Sequence, residues 1–377
     1  MNDSKLRILY VIPTLDQSGA EKQLALLASG LPTRQFQSEV IALNRGGYYE
    51  QILQDSQIPF QSLGKRLRID PVTHFRLKQQ ISRFQPDIVH SWLFAANTHC
   101  RLLKKRSSTW KSVVAERCVD SWKASWQKFC DRRLISHTDA MVVNSQSVAR
   151  FYRELGVPES LIHVINNGIA NINSGLDSTE TTRSAVRDQW GIPQDAFVVL
   201  SVGRLAPQKR LNTLLWAMHM LSLAEKNVYA VFAGEGPDRA ELLELVKKYE
   251  ITDRVLFTGH VNDAGPILKV ADAFWLGSSF EGQSNSLMEA MAAGLPVAVS
   301  DIPANLELVE HEQTGLVAAM GDSASFASAI RRLIREPEFA AQLGNTAAQK
   351  MADEYSIDQM ISKHVELYQR ITGNSES

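Results

Sequence analysis

The chain has 377 residues with 40 basic and 41 acidic side chains, 44% hydrophobic and 21% charged, which is a globular composition at a length that predicts two domains with a core each. The longest apolar runs, such as Ile8 to Ile12, fall far short of the roughly 18 residues a membrane-spanning helix needs, and residues 1–7 do not lead into an export signal, so a cytoplasmic protein is expected. Cys100, Cys118 and Cys130 are odd in number and lack CxxC spacing, which excludes a disulfide framework and a cysteine-based zinc site.

Short β-branched or apolar runs alternate with amphipathic stretches along the whole chain, the pattern of βα units around a parallel sheet. The first series predicts strands over residues 6–12, 38–43, 87–91, 112–115, 140–144 and 163–165. The first of these runs into Pro13 to Gly19, after which Leu24, Leu27, Ala28 and Leu31 recur at helical spacing: strand, glycine turn, helix. The pattern lapses at Asn166-Asn167-Gly168 and the polar stretch 173–182, read as part of a linker over 171–182. A second series predicts strands over 196–202, 229–233, 255–258, 273–276, 296–300 and 315–318. Ile357, Met360, Ile361, Val365, Leu367 and Tyr368 mark a closing helix, and residues 373–377 a disordered tail. The expected organisation is an N-terminal Rossmann-like domain (1–170), the linker, a second Rossmann-like domain (183–354), and a last helix and tail (355–377) packing back on the first domain. Two doubly wound α/β domains would face a central cleft with the carboxyl ends of their strands, where such sheets bind ligands.

Residues 1–170 carry 23 basic against 14 acidic side chains, a net of +9; residues 171–377 carry 17 against 27, a net of −10. The basic residues cluster as Lys65-Arg66-Leu67-Arg68, Lys104-Lys105-Arg106, and Trp122-Lys123 to Trp126-Gln127-Lys128-Phe129 with Arg132-Arg133. Such a face suits an anionic acceptor or an acidic membrane; solvated helix charges are the plainer alternative, and no nucleic-acid motif accompanies them.

The richest stretch runs from Ser278 to Val297. A strand ending at Leu276 meets small polar residues, a helix starts near Ser284, and Gly294-Leu295-Pro296 stops it. Unsatisfied N–H groups at such a helix start suit a phosphate, with Glu281 just ahead of it and Glu289 more than a turn inside.

Glu281-Gly282 and Glu289-Ala290-Met291-Ala292-Ala293-Gly294-Leu295-Pro296-Val297 frame two glutamates separated by seven residues, and this resembles the signature of the retaining glycosyltransferases of family 4, which have the two-Rossmann GT-B architecture. Gly203-Arg204 with Lys209 resembles the family's GR-x4-K element, Gly234-Glu235-Gly236-Pro237 its GxGP turn, Phe257 to Val261 the strand and loop bordering the nucleotide base, Ser18 to Glu21 its first-domain glycine loop, and Asn167-Gly168 its NG element. The resemblance implies a nucleotide-diphosphate sugar as donor, a saccharide or lipid-linked acceptor, and a hexose-type sugar moved in polysaccharide or glycolipid synthesis without cofactor or metal. The absence of an Asp-x-Asp motif agrees with metal-free chemistry. Arg204 and Lys209 would stabilise the leaving phosphate, and Glu281 would hold donor-sugar hydroxyls. Glu289 would hold the ribose, Ser284 and Asn285 would offer amides to the phosphates, Gly282 belongs to the same donor loop, the Val261 backbone would border the base, and Gly19 would admit the diphosphate. The plainer readings are a surface ion pair for Arg204 and Lys209, a helix-surface carboxylate for Glu289, an ordinary turn glycine for Gly19 and a core side chain for Val261.

The chain departs from the family at its first-domain histidines: His90-Ser91-Trp92 keeps only the first of an HxH pair, and Ala115-Glu116-Arg117 stands where a histidine often follows the next strand. His90, for which a packed strand-end histidine is the plainer reading, and Arg117, with Arg101 as a further candidate, are assigned to the acceptor. A nucleotide-sugar epimerase on the same scaffold is the alternative enzyme, and a non-catalytic sugar-nucleotide binder a third reading. Association with the inner face of an acidic membrane is expected from the basic clusters, Trp122 and Trp126.

Overall fold

A parallel strand covered on both faces must be apolar throughout, and β1 (Leu6–Thr14) meets this condition with Ile8 to Ile12 fully buried. Ile8, Tyr10 and Ile12 enter one hydrophobic cluster and Leu9 and Val11 another, the two-residue alternation of a strand between two helix layers. The computed structural model describes residues 5–67, 70–120, 122–170, 179–261 and 264–373. The chain divides into unit 1, residues 1–168 with 357–377, and unit 2, residues 169–356.

Unit 1 continues with α1 (Gly19–Gly30), β2 (Phe36–Arg45), α2 (Glu50–Asp55), β3 (Phe60–Ser62), α3 (Pro71–Phe84), β4 (Ile88–Trp92), α4 (Leu93–Leu103), β5 (Lys111–Glu116), α5 (Ser125–Arg133), β6 (Ala140–Val143), α6 (Gln146–Glu154) and β7 (Ile162–Val164). Its seven strands are parallel in the order β3-β2-β1-β4-β5-β6-β7. Unit 2 follows with α7 (Thr179–Trp190), β8 (Phe197–Val202), α8 (Leu211–Ala224), β9 (Val228–Ala233), α9 (Arg239–Lys248), β10 (Val255–Gly259), α10 (Ala264–Leu268), β11 (Ala273–Leu276), α11 (Asn285–Ala292), β12 (Val297–Ser300), α12 (Pro303–Leu306), β13 (Leu316–Ala318), α13 (Ser323–Arg335) and α14 (Pro337–Glu354). Its six strands are parallel in the order β10-β9-β8-β11-β12-β13. The last helix, α15 (Ile357–Thr372), returns to unit 1, where Met360, Leu367 and Tyr368 share the cluster of Tyr10, Leu24 and Leu27.

All twelve expected strands form, with ends displaced by at most two residues. The strand missed in the sequence, β3, is a three-residue edge whose Gln61 and Ser62 are exposed, so no apolar alternation announces it. Residues 171–178 of the expected linker, Arg68 of the first basic cluster and residues 374–377 of the tail lie outside the described residues, while residues 179–182 of that linker open α7. Local chemistry fixes several helix ends. The Asp70 side chain accepts the amides of Val72 and Thr73 at 3.1 Å to cap α3, with Pro71 in its first turn. After α11, Gly294 takes a φ of +76° and the Leu295 N–H bonds back to the Ala290 carbonyl, the glycine stop expected there.

Candidate functional site

Each sheet reverses its strand order once, at β1/β4 in unit 1 and β8/β11 in unit 2. Loops leaving neighbouring strands in opposite directions open a crevice at that point, the usual ligand position of a doubly wound sheet. In unit 2 the two loops are residues 203–210 and 277–284, the segments that carry Arg204, Lys209, Glu281, Gly282 and Ser284.

The two loops are tied together. The Ser279 amide donates to the Gln208 carbonyl at 2.8 Å, and the Gln208 side-chain amide donates to the Phe280 carbonyl at 2.7 Å. This stitching brings Lys209 Nζ to Glu281 Oε1 at 2.6 Å, with both side chains largely enclosed. Ser278 Oγ donates to the same Oε1 at 2.7 Å. Behind it, Ser300 Oγ donates to the Ser278 carbonyl at 2.6 Å, and Asn305 Nδ2 donates to Ser300 at 3.0 Å. Glu281 is thus aimed by a chain of hydrogen bonds reaching β12 and α12. Sequence reasoning missed Ser278, Ser300 and Asn305, because small polar residues outside a spaced motif carry no signal of their own.

Gly282 and Ser284 are buried beside Glu281, and Ser284 caps α11, its Oγ facing the Leu287 amide at 3.5 Å. Asn285 opens that helix and Glu289, half-buried, lies in its second turn. Arg204 is exposed and forms no ion pair among the described residues. Its loop is braced by the GxGP turn: a Cβ on Gly234 would lie 2.0 Å from the Gly203 carbonyl oxygen, so only glycine admits that approach. Val261 follows β10, half-buried against the unit 2 core. A cation beside a carboxylate at a helix N-terminus is equipped to hold a phosphorylated, hydroxylated ligand and to balance charge that develops on its phosphate.

In unit 1, Gly19 is the exposed first residue of α1. The Gln23 side chain, one turn on, pins both polar groups of Gly168, accepting from its amide at 2.8 Å and donating to its carbonyl at 2.9 Å. His90 is not placed at a ligand surface: it is fully buried, its Nδ1 lies 2.7 Å from Tyr368 Oη, and burial, with lesser contributions from His364 and Arg117, holds its imidazole well below the ordinary value. Arg101 is likewise removed from any acceptor, being 1% exposed and paired to Asp131 at 2.5 Å. Lys123, counted with the basic surface, is instead buried among Glu116, Asp120 and Asp131 at 3.4, 2.9 and 3.1 Å, because the chain after β5 folds this side chain beneath α5. Arg117 is 8% exposed at the end of β5, bonded to Asn167 and stacked 4.7 Å over the Trp92 ring.

Two doubly wound units of this kind, with such a pair at the switch point of the second, define the GT-B class of glycosyltransferases. Two family models match, Glycosyltransferase Family 4 over residues 17–170 and Glycosyl transferases group 1 over residues 182–350, and the chain belongs to the family-4 type of glycosyltransferases. It is 23% identical over 355 residues to the lipopolysaccharide core biosynthesis glycosyltransferase LpsD of Rhizobium meliloti, covering 94% of this chain and 96% of that one. The crystal structure of Anabaena Alr3699/HepE in complex with UDP and glucose superposes with a TM-score of 0.87 at 20% identity, covering 97% of this chain and all of that one. Sucrose-phosphate synthase of Thermosynechococcus elongatus superposes with a TM-score of 0.83 at 17% identity, covering 98% and 100%. Among the described residues no helix is long and apolar enough to cross a membrane.

Proposed function

We propose that this glycosyltransferase moves a hexose-type sugar, with retention, from a nucleotide-diphosphate sugar to a saccharide or lipid-linked intermediate of cell-surface polysaccharide or glycolipid synthesis. The observation that carries the reading is the Lys209–Glu281 pair at the β8/β11 switch point. Breaking the sugar–diphosphate bond leaves negative charge on the departing phosphate. Arg204 and Lys209 offset that charge more in the transition state than in the ground state, and the α11 N-terminus, through the Ser284 and Asn285 amides, adds its dipole. Glu281 holds donor-sugar hydroxyls, Glu289 the ribose, and the Gly282 and Val261 backbones border the donor. The departing phosphate oxygen takes the acceptor proton on the same face of the sugar, so neither a histidine base nor a metal or cofactor is called for. The Anabaena structures, in complex with UDP and glucose or with UDP-glucose, support a donor of this kind, and LpsD supports an acceptor of the envelope type.

The acceptor is met at the inner face of an acidic membrane. Trp122, Trp126 and Phe129 are 60%, 45% and 62% exposed on and before α5, beside the exposed Arg132 and Arg133, which pairs apolar insertion with cationic attraction. Flotation with vesicles of acidic lipid tests this; W122A/W126A protein that floats as well as wild type, or binding indifferent to lipid charge, would count against it.

A thermal-shift panel with UDP, GDP, ADP and their sugar conjugates tests the donor site. One nucleotide family is expected to raise the melting temperature, with the rise lost in Glu289→Ala. With the matching acceptor, Lys209→Ala is expected to lower kcat by roughly 10² to 10³. Unchanged turnover in a folded variant removes Lys209 from the mechanism.

A further inference from the structure

Four cationic side chains are buried among the described residues: Arg101, Arg117, Lys123 and Arg187. Three follow the rule that a charge leaves water only with a counter-charge. Arg101 meets Asp131 at 2.5 Å, Lys123 three carboxylates, and Arg187 meets Asp272 at 2.8 Å. Arg117 is the exception. Its neighbours are the Asn167 amide oxygen, a neutral acceptor, and the face of Trp92; no carboxylate among the described residues pairs with it, and its Nη1 has no hydrogen-bond partner.

Trp92, fully buried and next to Arg117 at the carboxyl ends of the paired strands β4 and β5, has an unpartnered Nε1. The two imidazoles beyond it, His90 at 5.3 Å from the Trp92 ring and His364 at 5.9 Å from His90, are held neutral by burial. A guanidinium and an indole N–H, both buried and both with hydrogen left to donate, lie at the end of the sheet where a doubly wound fold binds its ligands.

We infer that Arg117, with Trp92 Nε1, forms an oxyanion subsite that takes a phosphate or carboxylate group of the acceptor. This rests on the reading above that unit 1 receives the acceptor, and it narrows that acceptor to anionic molecules. The ligand supplies the counter-charge that the protein withholds, so the planar fork of Arg117 binds two of its oxygens where a lysine would meet it as a point charge.

Full-length protein is melted in inorganic phosphate, in acetate and in chloride at matched ionic strength, with UDP read in parallel as a probe of unit 2. Wild type is expected to gain roughly 3 °C at saturation over chloride. A gain in phosphate alone assigns a phosphate group, and a gain in both assigns either oxyanion. Arg117→Gln is expected to lose the gain while melting in chloride no lower than wild type, since it relieves an unpaired buried charge; Arg117→Lys is expected to need about tenfold more anion. The inference is overturned by a wild type that does not distinguish oxyanions from chloride, by an Arg117→Gln protein that keeps the gain, or by one that melts well below wild type in chloride or fails to fold, which would make Arg117 a structural pin for Asn167. A UDP response that survives these failures leaves the donor reading standing, and its absence counts against that reading alone.

Discussion

Lys209 and Glu281 neutralise each other at 2.6 Å, and a ligand that brings its own phosphates and hydroxyls re-divides that pair. How well Glu281 is aimed when this happens depends on Ser278, which donates to the same carboxylate oxygen. A hydrogen bond to a charged acceptor contributes about 1.5 kcal/mol. Ser278→Ala is therefore expected to lower kcat about tenfold with little change in donor KM and an unaltered circular dichroism spectrum; wild-type turnover would show that Lys209 alone suffices. In unit 1, burial pushes Glu116 up to about 7 from 4.5 despite Lys123. The folded protein then binds a proton that the unfolded chain has released, so this group's contribution falls as pH rises from about 4.5 to about 7. Urea midpoints at pH 5 and pH 7.5 check it: wild type is expected to lose stability relative to Glu116→Gln over that interval. Lys123→Met, which strands three buried carboxylates, is expected to cost about 3–5 kcal/mol at neutral pH, measurable by the same denaturation.

At the scale of elements, α15 is the piece whose place depends on contacts remote in sequence. Tyr368 sets its hydroxyl 3.2 Å from that of Tyr10 on β1 and 2.7 Å from His90 on β4. The helix begins against Gly168, where an added Cβ would stand 2.8 Å from the Ile357 Cα. Gly168→Ala is expected to destabilise unit 1 by about 1–3 kcal/mol through overpacking, seen as a lower urea midpoint with donor binding in unit 2 unaffected. Most elements were legible in the sequence because buried parallel strands are continuous apolar runs and their helices carry period and caps, as at Asp70-Pro71 and Gly294. β3 was not, since an exposed edge strand has no buried face to mark it.

At the scale of the whole molecule, the two units differ in how the chain builds them. Unit 2 is one continuous segment with its own two apolar clusters, whereas unit 1 is completed by the last 21 residues of the chain. Residues 169–356 expressed alone are expected to unfold cooperatively and retain the nucleotide response. Residues 1–168 alone, lacking Met360, Leu367 and Tyr368, are expected to bind a hydrophobic dye and aggregate. Size-exclusion chromatography and urea titration separate these outcomes, and a monomeric, cooperatively folding 1–168 fragment would refute the dependence on α15.

By itself the sequence determined the α/β class, the two series of βα units, the loops that carry Arg204, Lys209 and Glu281, and the helix that carries Glu289. Those features rest on local periodicity, turn chemistry and motif spacing, which are properties of neighbouring residues. Only the tertiary structure decided which charges stay in water. Lys123 read as a surface cation and Arg101 as an acceptor contact, yet both are buried against carboxylates, His90 lies beneath α15, and Arg117 is enclosed without a counter-ion among the described residues. Whether a polar side chain finds a partner depends on segments tens to hundreds of residues away, such as Asp131 for Arg101 and Tyr368 for His90, and those pairings exist only once the sheet has brought the strand ends together.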